Sequence, residues 1–222
     1  MRQKLNWLLK SRAKYLALVL AILFSCERPE IPDSSIEQAY NHATTKLDPE
    51  LNDILLKHEE LLASEGNGPA IFLKSKIDTI ESNNDHADYS DANHLGQDIW
   101  IAATEYDGTE LSISIGQIFG NQFIEHKVRN RKISTEFRED YKDDDLVKLK
   151  KDDQPANTLL VPLEIAEVKL TKMAHFKAGE LIYGKAKVVT QPYYLKEVGT
   201  EFDCIKREYE FYFKCKIREA QK

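Results

Sequence analysis

The stretch Leu111-Ser112-Ile113-Ser114-Ile115 decides the fold class. Its aliphatic and hydroxylic residues alternate, so an extended chain would place Leu111, Ile113 and Ile115 on one face and Ser112 and Ser114 on the other. Asp107-Gly108 stands just upstream as a turn, with Ile99-Trp100-Ile101 before it, and the two runs read as a β-hairpin. The alternation returns further on. Ile182, Gly184, Ala186 and Val188 face one way in residues 181–190 while Tyr183, Lys185 and Lys187 face the other, and Tyr209, Phe211, Phe213, Cys215 and Ile217 share one side of residues 209–217. Residues 159–170 form another strand-like run, and residues 71–73 read as a first strand. Strands with one dry and one wet face predict an antiparallel sandwich or barrel over residues 70–218 rather than a parallel sheet. Residues 121–151 are too charged for an assignment, and the chain carries no internal repeat.

Upstream, the period lengthens to that of a helix. Ile36, Ala39, Tyr40, Ala43 and Leu47 fall on one helical face, with Asp33, Ser34 or Ser35 as N-cap. Asp48-Pro49-Glu50 then supplies an N-cap, a first-turn proline and an acidic first turn for a second helix, whose face is Leu51, Ile54, Leu55, His58, Leu61 and Leu62 and which ends at Gly66. Residues 36–66 are therefore read as a helical segment, a hairpin of two helices, ahead of a mainly β domain. Asn67-Gly68-Pro69 is the break between the two.

The chain has 222 residues, of which 42% are hydrophobic and 31% charged; 31 basic residues against 37 acidic ones give a formal charge of −6. The length suits one domain with an appendage, and the recurring Ile, Val, Phe and Tyr of the second half supply enough core-forming residues to exclude wholesale disorder. A sequence pI of about 5.6 argues against nucleic acid as a partner, because that association rests on Lys and Arg neutralising phosphates.

The first residues carry an address. Arg2, Lys4, Lys10, Arg12 and Lys14 precede an uncharged run from Tyr15 to Ser25, which is followed by Cys26 and a polar, proline-containing stretch. This is the layout of a secretory signal over residues 1–25; a helical membrane span needs roughly 17 to 25 apolar residues, more than this run offers. The junction Leu23-Phe24-Ser25-Cys26 resembles the bacterial lipobox, with Leu three places before the Cys and a small residue directly before it; Phe24 departs from the modest residue usual there. The resemblance implies that Cys26 becomes the mature N-terminus and carries diacylglycerol and an acyl chain, holding the protein on a membrane through residues 26–35 as a tether. Each buried methylene contributes about 0.8 kcal/mol, so two or three chains anchor where one binds marginally. Glu27 in place of the Asp that retains lipoproteins in the inner membrane implies outer-membrane delivery, and acidic residues after the Cys resemble the surface-export signal of Bacteroidota lipoproteins. Cleavage would leave 26 basic against 37 acidic residues, a formal charge of −11, so attachment would come from lipid and not from a basic face.

Candidates for chemistry are sparse. His58-Glu59-Glu60 begins like a zinc-protease helix, but position 62 is Leu, so the second metal ligand is missing and His58 reads as a helix-face histidine. Asp85, Asp88, Asp91, Asn93 and His94 gather oxygen and nitrogen donors without the spacing or glycine of a calcium loop, and they read as a solvated loop, as does the acidic run at Asp140, Asp143, Asp144 and Asp145. Cys204 and Cys215, with ten residues between them, are candidates for a disulfide worth about 3 kcal/mol or for two buried free thiols, and the spacing leaves both open. Tyr183, Tyr193, Tyr194 and Tyr212 are candidates for an exposed aromatic platform that stacks a sugar or peptide; core or edge packing is the competing explanation. No phosphate-binding loop, nucleophile elbow or dinucleotide fingerprint is present, and no catalytic residue, metal site or cofactor is assigned. The expectation is a non-enzymatic binding or assembly lipoprotein of the cell envelope, attached through lipid and partnered by an envelope protein or glycan. A lipid-tethered hydrolase and a carbohydrate-binding module are the alternatives.

Overall fold

A computed structural model describes residues 34–45, 67–82, 100–117, 121–141, 146–197 and 199–220. The expected signal sequence with Cys26, His58 and the second expected helix, the Asp85–His94 loop and Asp143 to Asp145 lie outside the described residues. The fold is mainly antiparallel β with one short helix near the N-terminal region, as the alternation predicted.

The helix α1 (Ser34–Thr45) begins two residues before the first apolar position that marked it, and buries Ile36 and Tyr40, one turn apart, on a single face. Among the described residues, eleven strands follow in one sheet. They are β1 (Gly68–Glu81), β2 (Trp100–Tyr106), β3 (Glu110–Gln117), β4 (Gln122–Arg129), β5 (Lys132–Asp140), β6 (Leu146–Lys148), β7 (Thr158–Val161), β8 (Leu163–Leu170), β9 (Leu181–Thr190), β10 (Tyr193–Lys196) and β11 (Asp203–Lys216). The hydrogen-bonded order is β6-β10-β11-β1-β2-β3-β4-β5-β7, with β9 on β11 and β8 on β9. A backbone bridge between Val147 and Ala156 connects the chain just ahead of β7 to β6, so the sheet curls into a nearly closed, barrel-like wall.

Local chemistry explains the turns. In the β2–β3 hairpin, Asp107 Oδ1 accepts hydrogen bonds from the backbone N–H of Thr109 and of Glu110, both at 2.7 Å, while Gly108 takes φ 95. These N–H groups, Glu110 first, lower the Asp107 pKa. The charged segment that resisted assignment is the β4–β5 hairpin, turned by Asn130 and Arg131 at φ 52 and 60, the left-handed pair of a two-residue turn. Apart from Glu139, its charges lie on the outer face, where Lys127 pairs with Glu125 at 3.0 Å and Glu136 at 3.6 Å. Ile124, His126, Val128, Phe137 and Glu139 point inward and are buried. Pro162 divides the run read as one strand: β7 pairs with β5, and β8 pairs with β9.

The interior is filled by alternate residues of facing strands. Ile205, Tyr209, Phe211, Phe213 and Cys215 of β11 meet Ile182, Ala186 and Val188 of β9 and Leu111, Ile113 and Ile115 of β3 in one core. Phe72 packs against it with its ring tilted 45° to that of Trp100 at 4.7 Å, and Tyr209 lies 5.6 Å from Trp100. Gly184 makes room for the ring of Phe213, because a Cβ there would fall on that ring. Outside, α1 covers a second, smaller cluster in which Ile36 and Tyr40 pack with Ile71 and Tyr183.

The alternative of a Cys204–Cys215 disulfide is corrected by β11. Approach of the two thiols required a turn near residues 206–208, but β11 runs unbroken from Asp203 to Lys216 and both cysteines are free and buried. At about 3.3 Å of rise per residue they stand roughly 36 Å apart, against about 4–7 Å between the Cα atoms of a disulfide. In denaturant without reductant, both thiols are expected to alkylate fully by intact mass; alkylation that waits for reduction would contradict the strand. Gly184→Ala is expected to lower stability by about 1–3 kcal/mol through overpacking, read as a lower urea midpoint at unchanged slope.

Candidate functional site

A charged cluster sits where the core would be expected to be apolar. Glu139 projects inward from β5 and is fully buried, and Arg207 projects inward from β11 with 5% exposure. Arg207 Nε donates to Glu139 Oε1 at 2.8 Å and lies 2.6 Å from the Tyr193 hydroxyl, which itself donates to Glu139 Oε1. The Gln122 amide, with its nitrogen turned to the Tyr209 hydroxyl at 2.7 Å, presents its oxygen to Arg207 Nη2 at 3.0 Å and Nη1 at 3.2 Å. Strands β4, β5, β10 and β11 thus meet through one polar network. Glu139 Oε2 is buried and has no hydrogen bond.

The electrostatics hold this network in one state. Burial pushes the phenols of Tyr193 and Tyr141 well up, and the Glu139 carboxylate adds to both shifts. Burial opposes the charge on Arg207, but the surrounding oxygens of Tyr193, Tyr209, Glu139 and Tyr141 outweigh it, and the guanidinium pKa is raised. The phenols stay neutral donors and Arg207 stays a cation. Chemically the arrangement is a sealed tie: solvent and substrate do not reach the Glu139 carboxylate in this conformation.

Four residues beyond Gln122 on β4, His126 is fully buried against the rings of Phe211 and Phe213, at 6.4 and 6.1 Å. Its Nδ1 lies 3.0 Å from Thr135 Oγ1, and its Nε2 has no partner. Burial alone lowers its pKa to about 3, so the ring is neutral.

The four tyrosines singled out by sequence fall into three environments. Tyr183 lies under α1, edge-on to Tyr40 at 5.5 Å, with Tyr212 packed beside it on the outer wall. Tyr193 is inside, on Glu139. Tyr194 faces outward from β10, with Lys148 Nζ 5.8 Å from its ring. Tyr183 and Tyr212 are brought together, but beneath a helix, and no common platform joins all four. Among the described residues, no three His, Cys, Asp or Glu side chains come together as metal ligands would.

Sequence reasoning missed Glu139, Arg207, Gln122 and His126. Arg207 shares parity with Tyr209, Phe211 and Phe213, and Glu139 with Phe137. A charge in an inward register was therefore the available signal. Comparison of the chain with protein-family models, curated protein sequences and solved structures returns no match.

His126 generates a pH dependence. Unfolded, it takes up a proton near its ordinary pKa of 6.5; folded, it does so only near pH 3. Between these values the unfolded chain binds more protons, so stability falls as pH drops below 6.5, by at most about 1.4 kcal/mol per pH unit from this group. Denaturant titrations from pH 7 to pH 4 are expected to show a shallower loss in His126→Leu than in the parent. Identical slopes would remove His126 as the source.

Proposed function

We propose that the chain is a lipid-anchored lipoprotein of the bacterial cell envelope, delivered to the outer membrane, whose barrel-like domain is a non-enzymatic binding or assembly module for an envelope protein or glycan. The observation that carries this reading is the succession of five basic residues, an apolar run and Leu23-Phe24-Ser25-Cys26. No helix among the described residues is long and apolar enough to cross a membrane; in this reading the lipid on Cys26 supplies attachment.

The domain's chemistry favours recognition over hydrolysis. Its interior acid, Glu139, is sealed behind Arg207 and Tyr193, whereas a hydrolase of envelope polymers needs carboxyl groups lining a cleft. The outer wall is polar. Around β11, Lys185 of β9 pairs with Glu210 at 2.6 Å, Lys74 of β1 with Glu208 at 2.5 Å, and Glu164 of β8 with Lys206. Such exposed pairs add little stability and keep the wall solvated, so recognition falls to the strand connections and to the outer surface beside α1.

Cys26→Ser is expected to leave the domain folded, by its β-type circular dichroism, while shifting it from the membrane to the soluble fraction and abolishing added acyl mass. Continued sedimentation with membranes at full-length, unacylated mass would overturn the anchor.

A further inference from the structure

The wall of the barrel is uneven. Strands β3 and β4 pair through seven residues each, from Glu110 opposite Arg129 to Gly116 opposite Phe123. At the other extreme, among the described residues, the backbone link between the β7 segment and β6 is one bridge, with Val147 N–H donating to Ala156 O and Ala156 N–H to Val147 O, both at 2.9 Å. The flanking strands are short: β6 has three residues, and β7 and β10 have four each. In sheet order β5 and β7 lie on one side of this seam and β6, β10 and β11 on the other, and the seam ends at Pro162, where β7 gives way to β8 and its ladder with β9.

The buried charged cluster spans the same seam from inside. Glu139 belongs to β5, on one side; Tyr193 belongs to β10 and Arg207 to β11, on the other, and both bond to Glu139 Oε1. The buried Glu139–Tyr193–Arg207 contacts thus cross the line where, among the described residues, the wall is joined by a single backbone bridge. We infer that the β6–β7 seam is the barrel's site of local opening and that the Glu139–Tyr193–Arg207 cluster is the latch that holds it shut.

The physical basis is that proteins open in units, and the unit that opens first has the fewest backbone bonds and short, end-lying elements. Among the described residues, opening here breaks one backbone bridge and the latch while leaving β2 to β5 paired and β8 on β9. A seam without the latch would depend on the bridge and on the inward side chains Val147, Leu195 and Val161. With the latch, opening must separate a charge pair in a low-dielectric interior, where attraction is strong and an unpaired charge is costly. The device therefore resists spontaneous opening more than its few backbone bonds would.

Hydrogen exchange of the full chain, read amide by amide, tests this. The amides of Val147 and Ala156 are expected to exchange at least about ten-fold faster than those of Ile113 and Ile115. In Tyr193→Phe, which removes the phenol but keeps the ring, and in Glu139→Gln, which keeps shape without charge, the seam amides are expected to speed several-fold further, while those of β3 and β4 keep their parental rate. Equal rates at seam and β3–β4 in the parent would overturn the seam as an opening unit. A uniform acceleration across the barrel, or an unchanged seam, in a folded Tyr193→Phe would overturn the latch.

Discussion

The backbone hydrogen bonding of β11 is the constraint on which the other elements depend. One of its edges pairs with β1 from Cys204 to Phe213; the other pairs with β10 from Asp203 to Ile205 and then with β9 from Glu208 to Lys216. The junction between those two neighbours is closed by a side chain, since Arg207 N–H donates to the buried Thr190 Oγ1 at 3.0 Å. Three strands thus take their registers from one. Because side chains alternate along a strand, these registers also decide that Phe211, Phe213 and Cys215 enter the core and that Glu210, Tyr212 and Lys214 do not.

A buried ion pair is a costly way to fill that core. Taking two charges out of water carries a penalty that their attraction does not always repay, and apolar replacements of similar volume are often as stable or more so. What the pair supplies is directionality. A phenylalanine packs against any neighbour, whereas Arg207 Nε, fixed by strand register, can meet Glu139 Oε1 and Tyr193 only when β5, β10 and β11 are correctly placed around the barrel. His126 shows a different balance: it is accommodated neutral, against two rings, with one nitrogen satisfied and the other left bare.

The elements legible in the sequence were those with strict alternation and little charge, such as residues 111–115, 181–190 and 209–217, where burial of one face is written directly as apolar residues at every second place. The β4–β5 hairpin was hidden because its outer positions Glu125, Lys127, Glu136 and Arg138 are all charged, and charge density masks a period of two unless the intervening Ile124, His126, Val128 and Phe137 are read alone. The polar cluster was less legible still. Its members come from four strands, and only the closure of the sheet brings Gln122, Glu139, Tyr193 and Arg207 together. The tyrosine positions were similarly underdetermined: parity separates Tyr183 and Tyr212 from an inner face, but it does not reveal that α1 settles over them.

The pairing of β1 with β11 also has a consequence for how the chain reaches this structure. Lys74 and Glu208, bonded across those strands, are 134 residues apart in sequence. Closing so long a loop costs entropy before any contact repays it, and topologies dominated by such pairings fold on slow timescales, about milliseconds to seconds. During synthesis β1 emerges early and must wait for the final strand, its Phe72 and Ile77 meanwhile without the neighbours that cover them in the barrel. The interval before β11 arrives is therefore when the chain is most exposed to aggregation and most dependent on chaperones that shield apolar segments.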